Sequence, residues 1–167
     1  MITTSRLFIS QLSEEDKSFI YELLNSPGWL EHIGNRGIET LEDAVDYLQN
    51  GPMKSYKEYG YGLFKVALKE KNISIGICGF LNREYLAHID LGYAFLPQYG
   101  KKGYAYESAE ALLHWIKAEK GIDTLLAITG TQNNRSIKLL EKLSFQLDQK
   151  IKWPGESEEV FQFIKKL

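Results

Sequence analysis

Phe95-Leu96-Pro97-Gln98-Tyr99-Gly100-Lys101-Lys102-Gly103-Tyr104-Ala105-Tyr106-Glu107 joins an apolar run, Ile89 to Phe95, to a helical pattern that starts near Gly103. The run reads as a buried strand. It breaks at Pro97, and the chain then turns through two glycines and two lysines. A strand that feeds a glycine-bearing turn into a helix N-terminus is suited to anions. The first helical N–H groups have no internal acceptor, the helix dipole favours negative charge there, and glycine admits a phosphate close to the backbone. In isolation, Gly100 and Gly103 are equally readable as plain turn glycines.

Outward from this stretch, strand-like and helix-like segments alternate. Arg6 to Leu12 alternates with period two, and Ser13-Glu14-Glu15-Asp16 resembles a helix cap, followed by Phe19, Ile20, Leu23 and Leu24 and a stop at Pro27-Gly28. A second helix opens at Thr40-Leu41-Glu42-Asp43 and is expected to stop at Gly51-Pro52. Tyr61 to Leu68 and Ile73 to Leu81 read as a hairpin through Lys69 to Asn72. The helix after the glycine turn carries Ala105, Ala109, Leu112, Leu113 and Ile116 and ends near Gly121. Leu125 to Thr129, Phe145 to Ile151 and Val160 to Ile164 read as strands, with a short helix at Arg135 to Leu143. The pattern is α+β: a mixed, mostly antiparallel sheet of about seven strands, flanked by about four helices, with one β-α-β crossover at the glycine turn. No linker divides the 167 residues, so one domain, 1–167, is expected.

Composition narrows the function. The formal net charge of −2 leaves no global basic footprint for nucleic acid. Cys78 is the one cysteine, which excludes an internal disulfide and fits a reducing compartment. With no signal-peptide pattern at Met1 to Arg6 and no apolar run long enough to span a bilayer, a cytoplasmic protein without a membrane partner is expected. No metal-ligand spacing stands out. Neither a Walker loop nor a dinucleotide fingerprint fits Gly100 to Ala105, since no Ser or Thr follows Lys101-Lys102 and no G-x-G-x-x-G occurs there.

A second segment corroborates the first. Asn133-Asn134-Arg135-Ser136-Ile137-Lys138-Leu139-Leu140-Glu141-Lys142-Leu143-Ser144-Phe145 follows a strand, opens a helix and returns to a strand. Together the two resemble the acetyl-CoA-binding core of the GCN5-related N-acetyltransferase (GNAT) superfamily, most of all its ribosomal-protein N-acetyltransferase branch. Gly103 and Ala105 match the family's Q/R-x-x-G-x-G/A loop. Asn133, Ser136, Leu139 and Phe145 match its N-x-x-S-x-x-L-x-x-x-x-G-F pattern. Thr4-Ser5-Arg6-Leu7 with Leu12 and Asp16 resembles the branch's opening, and Asp90-Leu91-Gly92-Tyr93 its E-I-G-Y strand. Two positions depart. Gly100 stands where Gln, Arg or an aromatic is usual, and Ser144 replaces the glycine before Phe145.

The resemblance implies an acetyl-CoA-dependent N-acetyltransferase, monomeric or homodimeric, without a metal. The pyrophosphate is expected on backbone N–H groups of Lys101, Lys102, Gly103, Tyr104, Ala105 and Tyr106, with the two lysines either adding charge or merely solvated. Pantetheine amides are expected on the strand edge at Tyr93, Ala94 and Phe95. Asn133 either binds the cofactor from the opposite side or caps its helix.

Amide formation requires an unprotonated amine, a stabilised oxyanion and a leaving thiolate. Within Leu86 to Phe95, His88, Asp90, Gly92 and Ala94 share one face by alternation. Asp90 matches the family's base position, although a salt-bridged strand Asp is the alternative, and His88 is a second candidate base. The family's usual tyrosine acid is absent, because Leu140 occupies its place, and the branch's use of the N-x-x-S serine points to Ser136 as the acid. An α-amine (pKa about 7.7–8.0) is easier for such a site than a lysine amine near ~10.4, which favours a protein N-terminus. Polyamines, aminoglycosides and other small amines remain alternatives, as does a sensor that binds coenzyme A without turnover. Trp29, His32, Asn35, Arg36 and Trp153-Pro154-Gly155 are expected around the acceptor, or in the core.

Overall fold

The computed structural model describes residues 1–152 and 159–167. An eight-stranded sheet organises the chain, in the order β1-β2-β3-β4-β5-β6-β8-β7. Its strands are β1 (Ile2–Thr3), β2 (Leu7–Gln11), β3 (Leu63–Leu68), β4 (Ile73–Leu81), β5 (Asp90–Phe95), β6 (Thr124–Gly130), β7 (Gln146–Lys152) and β8 (Glu159–Lys166). All neighbours are antiparallel except β5 and β6. The α+β class and the single crossover expected from the sequence are both present. The strand count rises from about seven to eight because the two-residue β1 is too short to leave a periodic signal.

The helices are α1 (Lys17–Leu24), α2 (Pro27–His32), α3 (Leu41–Leu48), α4 (Lys54–Tyr59), α5 (Tyr104–Lys120) and α6 (Asn134–Lys142). Among the described residues that is six rather than about four, and prolines explain the difference. α1 ends at Leu24, ahead of Pro27 as expected, but Pro27 does not end the helical run: it begins a helix of its own, because a fixed φ and a missing N–H cost nothing in a first turn. Pro52 does not stop α3 either. A π-helical turn, Gln49–Met53, carries the chain through Pro52 into α4, and its wider winding relieves the clash a proline ring makes with the carbonyl four residues back. The expected caps form where short acidic side chains allow. Ser13 N donates to Asp16 Oδ2 at 2.9 Å, and Thr40 exchanges bonds with Asp43 at 2.8 and 3.1 Å.

The sheet has a core on each face. Ala109, Leu112, Leu113 and Ile116 of α5 fall at i, i+3, i+4 and i+7, and join Leu140 of α6 in one cluster with Leu91 and Val66. Ile20, Leu23, Trp29, Ala44 and Leu48 of α1 to α3 cover Leu63 and Ile77 on the other face. Each fully buried Leu or Ile contributes about 1.5–3 kcal/mol. Among the described residues, no helix is long and apolar enough to cross a membrane.

Candidate active site

Asp90 and Leu126 are the one registered pair between β5 and β6. Beyond it the parallel strands part, so Leu91 to Phe95 present an edge with no registered strand partner on the β6 side. A helix follows each strand at this end: α5 after β5, and α6 after β6. Where parallel strands diverge and two helix N-termini flank the gap, ligands enter at the carboxyl ends of the strands. The cleft therefore gathers Tyr93, Ala94 and Phe95 on its strand edge, Gly103 to Tyr106 at one helix start and Asn133 to Ser136 at the other.

The glycine turn has the backbone an anion site requires. After a 3₁₀ turn at Pro97–Tyr99, Lys101 takes φ +62° and Gly103, the N-cap of α5, takes φ +82°. No side chain caps this end of α5, so the N–H groups of Tyr104, Ala105 and Tyr106 are unclaimed by the helix. Gly100 has an ordinary φ of −65°. Gly103 is thus the glycine that the turn requires. Lys101 and Lys102 are exposed, and Lys102 Nζ lies 5.5 Å from the Tyr99 ring centre.

Across the cleft, Asn133 Oδ1 accepts from Ser136 N at 3.1 Å and caps α6. The capping alternative is therefore realised. The Asn133 amide group donates to no protein atom among the described residues, which leaves it for a ligand. Ser136 is 8% exposed, and its Oγ lies 2.7 Å from the Tyr93 hydroxyl. Burial raises that phenol to about 12, against the pull of its Ser136 hydrogen bond, so Tyr93 stays protonated. Tyr93 was expected here for its backbone, and its side-chain partnership was not anticipated.

Asp90 faces the other side of the sheet with Gly92 and Ala94, as alternation requires. It is 2% exposed, and Oδ1 accepts from Arg83 Nε at 2.9 Å. Burial pushes the Asp90 carboxyl up, while the Arg83 charge and hydrogen bond pull it back without restoring the ordinary value. Asp90 is thus held in an ion pair. Arg83 was missed because it sits in an irregular connection with no periodicity to place it.

His88 lies before β5 rather than within a strand from Leu86, since the loop extends to Ile89. It lines a groove of about 440 Å³ with Tyr85, Leu126, Gln149, Gln162 and Ile164. The groove lies on the Asp90 face, because Leu126 pairs with Asp90 and Ile164 pairs with Leu126.

Of the expected acceptor residues, Trp29 is buried in the core, and its Nε1 has no partner among the described residues. Asn35 Oδ1 accepts from Gly37 N in a local turn, and His32 is exposed beside Glu31. The charges of Arg36 and Arg83 both act on the hydroxyl of Tyr47 in α3, which burial raises and they lower. Trp153, Pro154 and Gly155 lie outside the described residues.

Comparison with known proteins agrees with this architecture. Residues 6–146 match the family model described as an acetyltransferase (GNAT) domain. An uncharacterized N-acetyltransferase, YnaD of Bacillus subtilis (strain 168), is 26% identical over 145 residues, spanning 87% of this chain and 82% of YnaD. The ribosomal-protein-S5-alanine acetyltransferase from Vibrio fischeri superposes with a TM-score of 0.79 at 17% identity, over 99% of this chain and 95% of that one. The microcin C7 self-immunity acetyltransferase MccE, solved with acetyl-CoA and AMP, gives a TM-score of 0.84 at 13% identity, over 98% and 94%. The uncapped N-terminus of α5 and the open β5 edge fit a diphosphate-bearing, amide-rich thioester. The chain belongs to the GNAT acetyltransferase family, and is an acyltransferase whose acetyl donor is acetyl-CoA.

Proposed function

We propose that the protein acetylates an α-amine, that of a peptide N-terminus or an amino-acid-like acceptor, brought to the Asp90 face of the cleft. The observation that carries this reading is the Asp90–Arg83 ion pair at the point where β5 and β6 separate. A polyamine carries several positive charges and is held by unmatched carboxylates. Here the buried carboxylate is already matched by Arg83, whose charge, like that of Arg36, also acts on Tyr47 of α3. A singly charged α-amine with pKa of about 7.7–8.0 suits such a site better, because it sheds its proton near neutrality. The groove beside His88 and Leu126 is open on the same sheet face and offers room for an acceptor chain.

In this reading the Lys101–Tyr106 turn holds the donor's diphosphate, and the Tyr93–Phe95 edge and Asn133 pair with its amides. Acetyl-CoA supplies the thioester when bound. Asp90 takes the amine proton, through water because its side chain is short, and a raised carboxyl is the better base. A backbone N–H near Phe95 meets the oxyanion. Ser136, with its Oγ accepting from the protonated Tyr93, directs its own hydrogen at the leaving sulfur. The buried, unpaired thiol of Cys78 is consistent with the cytoplasm as setting.

Thiol release from acetyl-CoA across peptides, amino acids, polyamines and aminoglycosides tests the proposal. Turnover is expected with α-amines foremost. A preference for spermidine-like amines would refute the acceptor assignment, and coenzyme A binding without release for any amine would favour a sensor.

A further inference from the structure

Glu107 occupies the first turn of α5, beside the N–H groups assigned to the diphosphate. A carboxylate there competes for those donors and repels a dianionic ligand. The structure removes that conflict with a segment about a hundred residues away. Glu107 Oε1 accepts from Thr4 Oγ1 at 2.6 Å, Ser5 Oγ at 2.9 Å and Arg6 N at 2.9 Å, and Oε2 accepts from Arg6 Nε at 2.7 Å. Arg6 then reaches the turn itself. Its Nη1 donates to Lys102 O at 3.0 Å, and its guanidinium lies 4.6 Å from the Tyr104 ring centre. Its Nη2 lies 3.4 Å from where a Cβ on Gly103 would stand. One side chain thereby touches Lys102, Tyr104 and Glu107 and stands over the Cβ side of Gly103.

We infer that Arg6 is a positioning residue for the diphosphate turn: it neutralises Glu107 and braces Lys102 to Tyr104, so that the start of α5 offers its N–H groups without opposing charge. This rests on the reading of that turn as the coenzyme A site. A planar fork serves this place better than a point charge, because the guanidinium spends separate donors on a carboxylate and a carbonyl while stacking on a ring.

Coenzyme A and phosphate-free pantetheine, titrated into the same variants, separate the inference from general structural support. Arg6→Met is expected to weaken coenzyme A about tenfold and leave pantetheine unchanged, while Arg6→Lys, which keeps the charge, loses only about two- to fourfold. Adding Glu107→Gln to Arg6→Met is expected to recover affinity for coenzyme A, since the opposing charge is gone. Equal losses for both ligands, unchanged coenzyme A affinity in Arg6→Met and Arg6→Lys, or no recovery in the double variant would overturn the inference. Wild-type protein that binds neither ligand would instead overturn the reading of the turn, and the inference with it.

Discussion

The Tyr93 and Ser136 hydroxyls lie 2.7 Å apart and tie β5 to the first turn of α6. The pair joins the strand edge assigned to the donor's amides to the residue assigned to its leaving group. Because Tyr93 holds its proton, with a pKa pushed up to about 12, it can donate to Ser136 and leave the serine hydrogen for a ligand. Ser136→Ala is expected to lower kcat about 10- to 100-fold, and Tyr93→Phe by a smaller factor, with KM for acetyl-CoA little changed. A donor with a more acidic thiol needs less help in leaving, so both losses should shrink with it. Losses independent of the leaving group would argue against the role.

In the proposed mechanism Asp90 is the base, and with Arg83 it sets the pH dependence. The base is active when deprotonated, so kcat/KM should rise with pH through a carboxyl pKa above the ordinary 3.8. Arg83 pulls that pKa down, and Arg83→Met should therefore move the acidic limb to higher pH. Asp90→Asn should remove the limb and most of the activity. A pH–rate profile with the same limb in Asp90→Asn would assign the base elsewhere, with His88 the first candidate.

Glu107 makes stability depend on acid. Burial raises its carboxyl, but hydrogen bonds from Thr4, Arg6 and Ser5 prevail and hold it at about 2 against an ordinary 4.5. A lowered folded-state pKa stabilises fully above the unfolded value and loses that contribution as pH falls. Wild type should therefore exceed Glu107→Gln in stability above pH 4.5, with the gap closing toward pH 2. Parallel urea midpoints across that window would contradict the clamp.

Ser144 bears a left-handed φ of +64° at the end of α6. Phe145 N donates to Leu140 O and Ser144 N to Glu141 O, both at 2.9 Å, the bonding of a Schellman C-cap that favours glycine. The left-handed conformation costs a non-glycine residue about 1–2 kcal/mol, of which glycine's unfolded-state freedom returns roughly 0.5–1. Ser144→Gly should gain about 0.5–1 kcal/mol and raise Tm by roughly 1–4 °C. A lower Tm would show that the serine side chain is needed.

Much of this molecule was legible because its signals are local. The apolar spacing of α5, its glycines at 103 and 121 and the alternation that put Asp90 and Tyr93 on opposite faces each depend on neighbours within a turn or strand. The turn at Gly103 and the start of α6 at Asn133 were found for the same reason. The rest depends on tertiary approach and leaves no local signal. Arg83 meets Asp90 from an irregular loop, Tyr93 meets Ser136 only once α6 packs on β5, and Arg6 reaches Glu107 across a hundred residues. Pro52 misled because the π turn that tolerates it has no sequence signature of its own.

The most direct measurement is calorimetric titration of coenzyme A into wild type and Gly103→Glu, with circular dichroism confirming that both are folded. A glutamate at this N-cap strains φ +82° and sets a carboxylate beside the unclaimed N–H groups of α5. Affinity should fall by about 100-fold or more. Unchanged affinity in a folded variant would contradict the assignment of the Lys101–Tyr106 turn to the diphosphate.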